Sequence, residues 1–83
     1  MPKRMIDTAI DVMEHLKSEG FEAQVPLCNI IRTLRTYAGG KDDTIKRYLD
    51  FLKFVGFIKE AASGEGGKVF DINWRKVDEL CLG

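Results

Sequence analysis

The residues with the most chemistry to offer are cations in the middle of the chain. Residues 26–56 carry Arg32, Arg35, Lys41, Lys46, Arg47 and Lys53 against only Asp42, Asp43 and Asp50, an excess of three positive charges. The flanking stretches, 1–25 and 57–83, are both net acidic. Ammonium and guanidinium groups donate to anionic oxygens, so this asymmetry points to an anionic partner. The whole chain balances thirteen basic against thirteen acidic residues, which argues against a polybasic, histone-like binder.

Other chemistries find less support. His15 follows Glu14, but adjacent residues on a helix do not face each other, so a surface or boundary histidine is expected. No Ser or Cys nucleophile has an evident base. Cys28 and Cys81 are far apart, belong to no CxxC pair and have one histidine to help them, so no metal site is expected. The cysteines are expected to be reduced, buried and small-apolar in character, with a disulfide as the alternative. Gly64, Gly66 and Gly67 join two strands rather than opening a helix, so they do not form a phosphate-cradling loop. A chain of 83 residues leaves little length for a substrate pocket, so no enzyme, cofactor or small-molecule substrate is expected.

With 45% apolar and 31% charged residues, the composition is that of a globular chain rather than a disordered one. One domain over residues 1–83 is expected, burying roughly 60% of the surface its unfolded chain exposes. No apolar run approaches the ~18 residues of a membrane span. Met1-Pro2-Lys3-Arg4 leads into Ile6 and Asp7 rather than a signal-type apolar stretch, so a cytoplasmic location is expected.

The elements follow from periodicity. Met5, Ile6, Ala9, Ile10, Met13 and Leu16 fall at steps of three and four, predicting a helix from about Met5 to Glu19, ended by Gly20. Residues 21–25 read as a short strand or extended linker. Pro26 suits the first turn of a second helix, carried by Leu27, Ile30, Ile31, Leu34 and Tyr37 and ended by Gly39-Gly40. Asp42 or Asp43 is expected to cap a third helix, with Ile45, Tyr48, Leu49, Leu52 and Val55 as its apolar stripe and Gly56 as its stop. Phe57–Ala62 and Lys68–Trp74 then read as two strands joined by Ser63–Gly67, a β-hairpin. Asn73 is expected to cap a short terminal helix.

From Leu27 to Trp74 the chain resembles the winged helix-turn-helix family of DNA-binding domains, and among them small archaeal and viral regulators. The family pattern of Thr, apolar, Arg and Leu, then Leu, Gly and Ile/Leu, is met by Thr44, Ile45, Arg47, Leu49, Leu52, Gly56 and Ile58. The resemblance implies an α+β fold: a three-helix bundle, a β-hairpin wing and a short C-terminal helix. It implies a recognition helix over residues 43–55 and a wing tip over residues 63–67. The implied activity is sequence-specific binding of double-stranded DNA, as a transcriptional regulator.

With Ile45 at the centre of the buried face and about 100° per residue, Asp43, Lys46, Arg47, Asp50 and Phe54 point to solvent. Such a helix fits a major groove about 12 Å wide. Arg47 can donate two bonds to guanine O6 and N7, Lys46 can meet phosphate or base, and Thr44 can meet a phosphate. Arg32, Arg35 and Lys41 are expected beside the groove, and Lys68 at the wing. Asp43 and Asp50 would repel phosphate there unless Asp43 caps the helix and Asp50 pairs with Lys46, Lys53 or Arg47. Alternatively, Asp50 accepts from a cytosine amino group. Phe51 and Phe54 make the second half of this helix apolar nearly all round, so the wing, the terminal helix or a second subunit is expected to cover them. A homodimer would use the first helix, residues 77–82 or the exposed phenylalanines. The rival reading is a protein-interaction module of the same fold, using Phe51, Phe54 and the acidic residues.

Overall fold

The computed structural model describes residues 4–64 and 67–82, with the side chains of residues 62–64, 81 and 82 outside that description. Four helices and three strands follow in the order α1 (Met5–Ser18), β1 (Gln24–Pro26), α2 (Leu27–Ala38), α3 (Asp42–Val55), β2 (Ile58–Gly64), β3 (Gly67–Ile72) and α4 (Trp74–Leu82). The first three helices pack on one another, and an antiparallel sheet of order β1-β3-β2 closes the bundle. This α+β architecture is compatible with a winged helix.

Helix α1 buries Thr8, Ala9, Val12, Met13 and Leu16, while Ile6 and Ile10 are only partly covered. The buried face is therefore rotated toward Thr8 and Val12 from the stripe expected. Two helices end in the same way. Beyond α1, Gly20 adopts φ +97°, and the Phe21 and Gly20 amides donate to the Leu16 and Lys17 carbonyls at 3.3 and 3.0 Å. Beyond α3, Gly56 adopts φ +87°, and the Phe57 and Gly56 amides donate to Leu52 and Lys53 at 3.0 and 3.2 Å. Each is a paired-bond stop in which a left-handed glycine satisfies carbonyls the helix leaves open. The second stop turns the chain so that Phe57 and Ile58 enter the core.

Two start signals differ from expectation. Pro26 is not in the first turn of α2 but is the last residue of β1, with extended backbone, and α2 begins at Leu27. The strand uses the proline's fixed φ without needing its absent N–H in every ladder position. Neither Asp42 nor Asp43 caps α3. Lys41 holds the N-cap position without a side-chain cap bond, and both aspartates lie inside the first turn. There their carboxylates still complement the positive helix end. Asn73 does cap α4: its Oδ1 accepts from the Lys76 amide at 3.2 Å.

The paired strands of the hairpin run further than its sequence suggests. Ser63 pairs with Lys68 and Gly64 with Gly67, so these residues belong to the strands rather than to a loop. Of the expected wing tip, Glu65 and Gly66 lie outside the described residues. Between the Glu60–Phe70 and Ser63–Lys68 pairs, β2 has two residues, Ala61 and Ala62, where β3 has one. That bulge increases local twist in the ribbon. Residues 24–26 pair with 71–69, making the short segment after α1 a true strand. Phe70 is the central residue of β3, 1% exposed, and joins Leu52, Phe57, Leu34 and Val25 in the core. Burying a side chain of this size contributes about 1.5–3 kcal/mol.

Candidate nucleic-acid interface

Helix α3 presents its polar face as the periodicity requires. Asp43, Lys46, Arg47, Asp50, Lys53 and Phe54 are all exposed, while Ile45 and Leu52 are buried. Tyr48, Leu49, Phe51 and Val55 are partly buried against the core. The bundle thus anchors one side of α3 and leaves the other free. Phe51 is accounted for by this packing. Phe54 is not: it is 87% exposed, and neither the hairpin nor α4 covers it.

The expected site residues fall in three places. Lys41, Thr44, Lys46 and Arg47 occupy the N-terminal end of α3, with Thr44 half-buried and the other three exposed. Arg32 and Arg35 are exposed on α2, the helix packed against α3. They continue a solvent stripe that begins at Cys28, at steps of four and three. Lys68 is exposed on β3. Arg32, Arg35, Lys41, Lys46 and Arg47 form no ion pair among the described residues.

The acids on this surface behave differently from expectation. Asp50 makes no ion pair with Lys46, Arg47 or Lys53 among the described residues. Lys53 leans to the sheet instead, its Nζ 5.4 Å from the centre of the Phe70 ring, a cation–π distance. Glu60 is the acid that collects charge. Its Oε1 lies 3.1 Å from Lys68 Nζ. The hydrogen bond and attraction from Lys68, with a lesser pull from Lys53, hold the Glu60 carboxyl below its ordinary pKa.

Two further clusters were not expected. The His15 ring bridges α1 and α2: Nδ1 is 3.2 Å from the Tyr37 hydroxyl, and Nε2 is 2.9 Å from Glu19 Oε1. The Glu19 contact is an i,i+4 pair that the sequence spacing contains. The Tyr37 contact spans 22 residues and has no local signal. Trp74 donates its indole N–H to the Glu22 carbonyl, and Lys17 Nζ lies 5.7 Å from its ring centre, tying α4 to the end of α1.

Cys28 is exposed, contrary to the buried thiol expected, with Sγ donating to Asn29 Oδ1 at 3.4 Å. The second position of α2 projects to solvent while Ile30, Thr33 and Leu34 face the core. The Cys81 side chain lies outside the described residues. Among the described residues no His, Cys, Asp and Glu side chains cluster in threes to hold a metal ion. No described helix is long and apolar enough to cross a membrane. An open cleft of about 470 Å³ lies where α3 passes into the hairpin, lined by Lys53, Lys59, Asp71 and Trp74 among others. None of the expected DNA contacts lies in it. No protein-family model, curated protein or solved structure matches the chain.

Proposed function

We propose that this chain is a winged helix-turn-helix protein that binds double-stranded DNA sequence-specifically, as a small transcriptional regulator. Helix α3 enters the major groove, and the hairpin straddles the backbone beside it. The observation that carries this reading is the state of Lys46 and Arg47. Both are exposed on the solvent face of α3, and among the described residues neither is neutralised by an ion pair, although Asp43 and Asp50 share the helix. Arg32, Arg35 and Lys41 add cations with the same freedom on the adjoining helix and turn. Arg47 reads a guanine edge, and the others position the domain on phosphates. A homodimer would set two such helices in successive major grooves, about 34 Å apart.

The rival module, which binds protein and ignores DNA, draws on the exposed Phe54 ring. A Lys46→Ala/Arg47→Ala double variant separates the two. Both side chains are exposed, so stability should stay within about 0.5 kcal/mol of wild type. The DNA-reading function requires duplex affinity to fall at least about tenfold. Unchanged duplex affinity in a folded double variant would overturn it.

A further inference from the structure

Phe54 lies on the reading face of α3, not beside it. Asp43, Arg47, Asp50 and Phe54 follow at steps of four, three and four. At ~100° per residue these positions stay within about 60° of a single line along the helix. Whatever meets Arg47 along this line therefore extends toward Phe54. The ring is 87% exposed, and the other exposed large apolar residues described, Tyr37 and Leu80, lie on α2 and α4. Its neighbours one turn back are Asp50 and the half-buried Phe51. An isolated aromatic ring offers at most about 150–250 Å². A stable protein interface buries about 800 Å² per partner, so this ring is too small a patch to define one. A small apolar patch bordered by the exposed Asp50 and Lys53 is instead what a mixed polar surface such as the major groove can use.

We infer that Phe54 contacts the 5-methyl group of a thymine and is a specificity-determining residue of the DNA-reading face. The thymine methyl is the one apolar group that a base pair presents in the major groove. At 1.5 Å rise per residue, Phe54 lies about 10 Å along the axis from Arg47, or about three base-pair steps of 3.4 Å. The contacted thymine therefore lies about three base pairs from the base that Arg47 meets. This inference rests on the DNA-reading function proposed above.

The test uses the full chain and a duplex enriched by it from a random-sequence pool. Each thymine is replaced in turn by deoxyuridine, which removes the methyl and leaves the hydrogen-bonding edges intact. Wild type should lose about fourfold in affinity at one position. Phe54→Ala should bind the thymine and uracil duplexes equally at that position, while Arg47→Ala should bind both more weakly and keep their ratio. Equal wild-type affinity for every uracil duplex overturns the contact. So does a Phe54→Ala variant that keeps the wild-type ratio, and if that variant also loses self-association in sedimentation velocity, the ring belongs to a second copy. A wild-type chain that binds no duplex at all overturns the DNA-reading function itself and the contact with it.

Discussion

Lys68 Nζ lies 3.1 Å from Glu60 Oε1 on the neighbouring strand, so this basic residue of the hairpin is already engaged. The two residues are diagonal cross-strand neighbours, since Glu60 pairs with Phe70, two residues along from Lys68. The pair links the two strands at an exposed position and engages a cation that an anionic partner could otherwise meet. Glu60→Gln should free Lys68 and remove a carboxylate that also attracts Lys53. Duplex binding should then tighten at low salt, and its log–log salt slope should steepen by about one charge. Anisotropy titrations at several salt concentrations measure both.

The same pair sets a pH dependence. The Glu60 carboxyl is held below its ordinary pKa, so the folded state favours its ionised form more than the unfolded state does. Its contribution is fully present above the ordinary glutamate pKa of about 4.3 and is lost as pH falls through the depressed folded value. Carboxyl-carbon NMR titration should place Glu60 below that ordinary value. Lys68→Ala should raise it back.

Gly56 carries the turn from α3 into β2. A Cβ there would meet only the Lys76 Cγ at 3.7 Å, an ordinary contact, so the cost of Gly56→Ala comes from the left-handed backbone. That cost is about 1–2 kcal/mol. In urea the midpoint should fall with an unchanged m-value. A variant of wild-type stability would mean that the chain can leave α3 by another path.

Trp74 anchors α4 through its N–H to the Glu22 carbonyl. Trp74→Phe keeps an aromatic ring but removes the donor and part of the indole's bulk, and should cost at least about 1 kcal/mol. Circular dichroism during thermal unfolding reads this loss.

Local signals carried much of this architecture. Gly20 and Gly56 marked helix ends because no other residue adopts positive φ so readily, and Asn73 marked a helix start by its short acceptor side chain. The exposed side of α3 followed from its period alone. What local signals missed or left open depends mostly on partners distant in sequence. Residues 24–26 become a strand only because β3 lies alongside, 45 or so positions later. Lys53 turns to Phe70 rather than to Asp50, and the choice is made by the sheet, not by the helix. Tyr37 looked like a core residue of α2, but its hydroxyl reaches His15 at the surface between α1 and α2. Cys28 looked buried by residue type, and its helical phase placed it outside.

In the proposed function the exposed Arg32, Arg35, Lys46 and Arg47 of α2 and α3 meet DNA phosphates and bases. Fluorescence anisotropy of the wild-type chain on a random-sequence duplex, at low and at moderate salt, tests it most directly. The predicted result is measurable binding at low salt that weakens steeply as salt rises, with a slope corresponding to about four to six phosphate contacts. Absence of binding at low salt, or binding indifferent to salt, would contradict the claim.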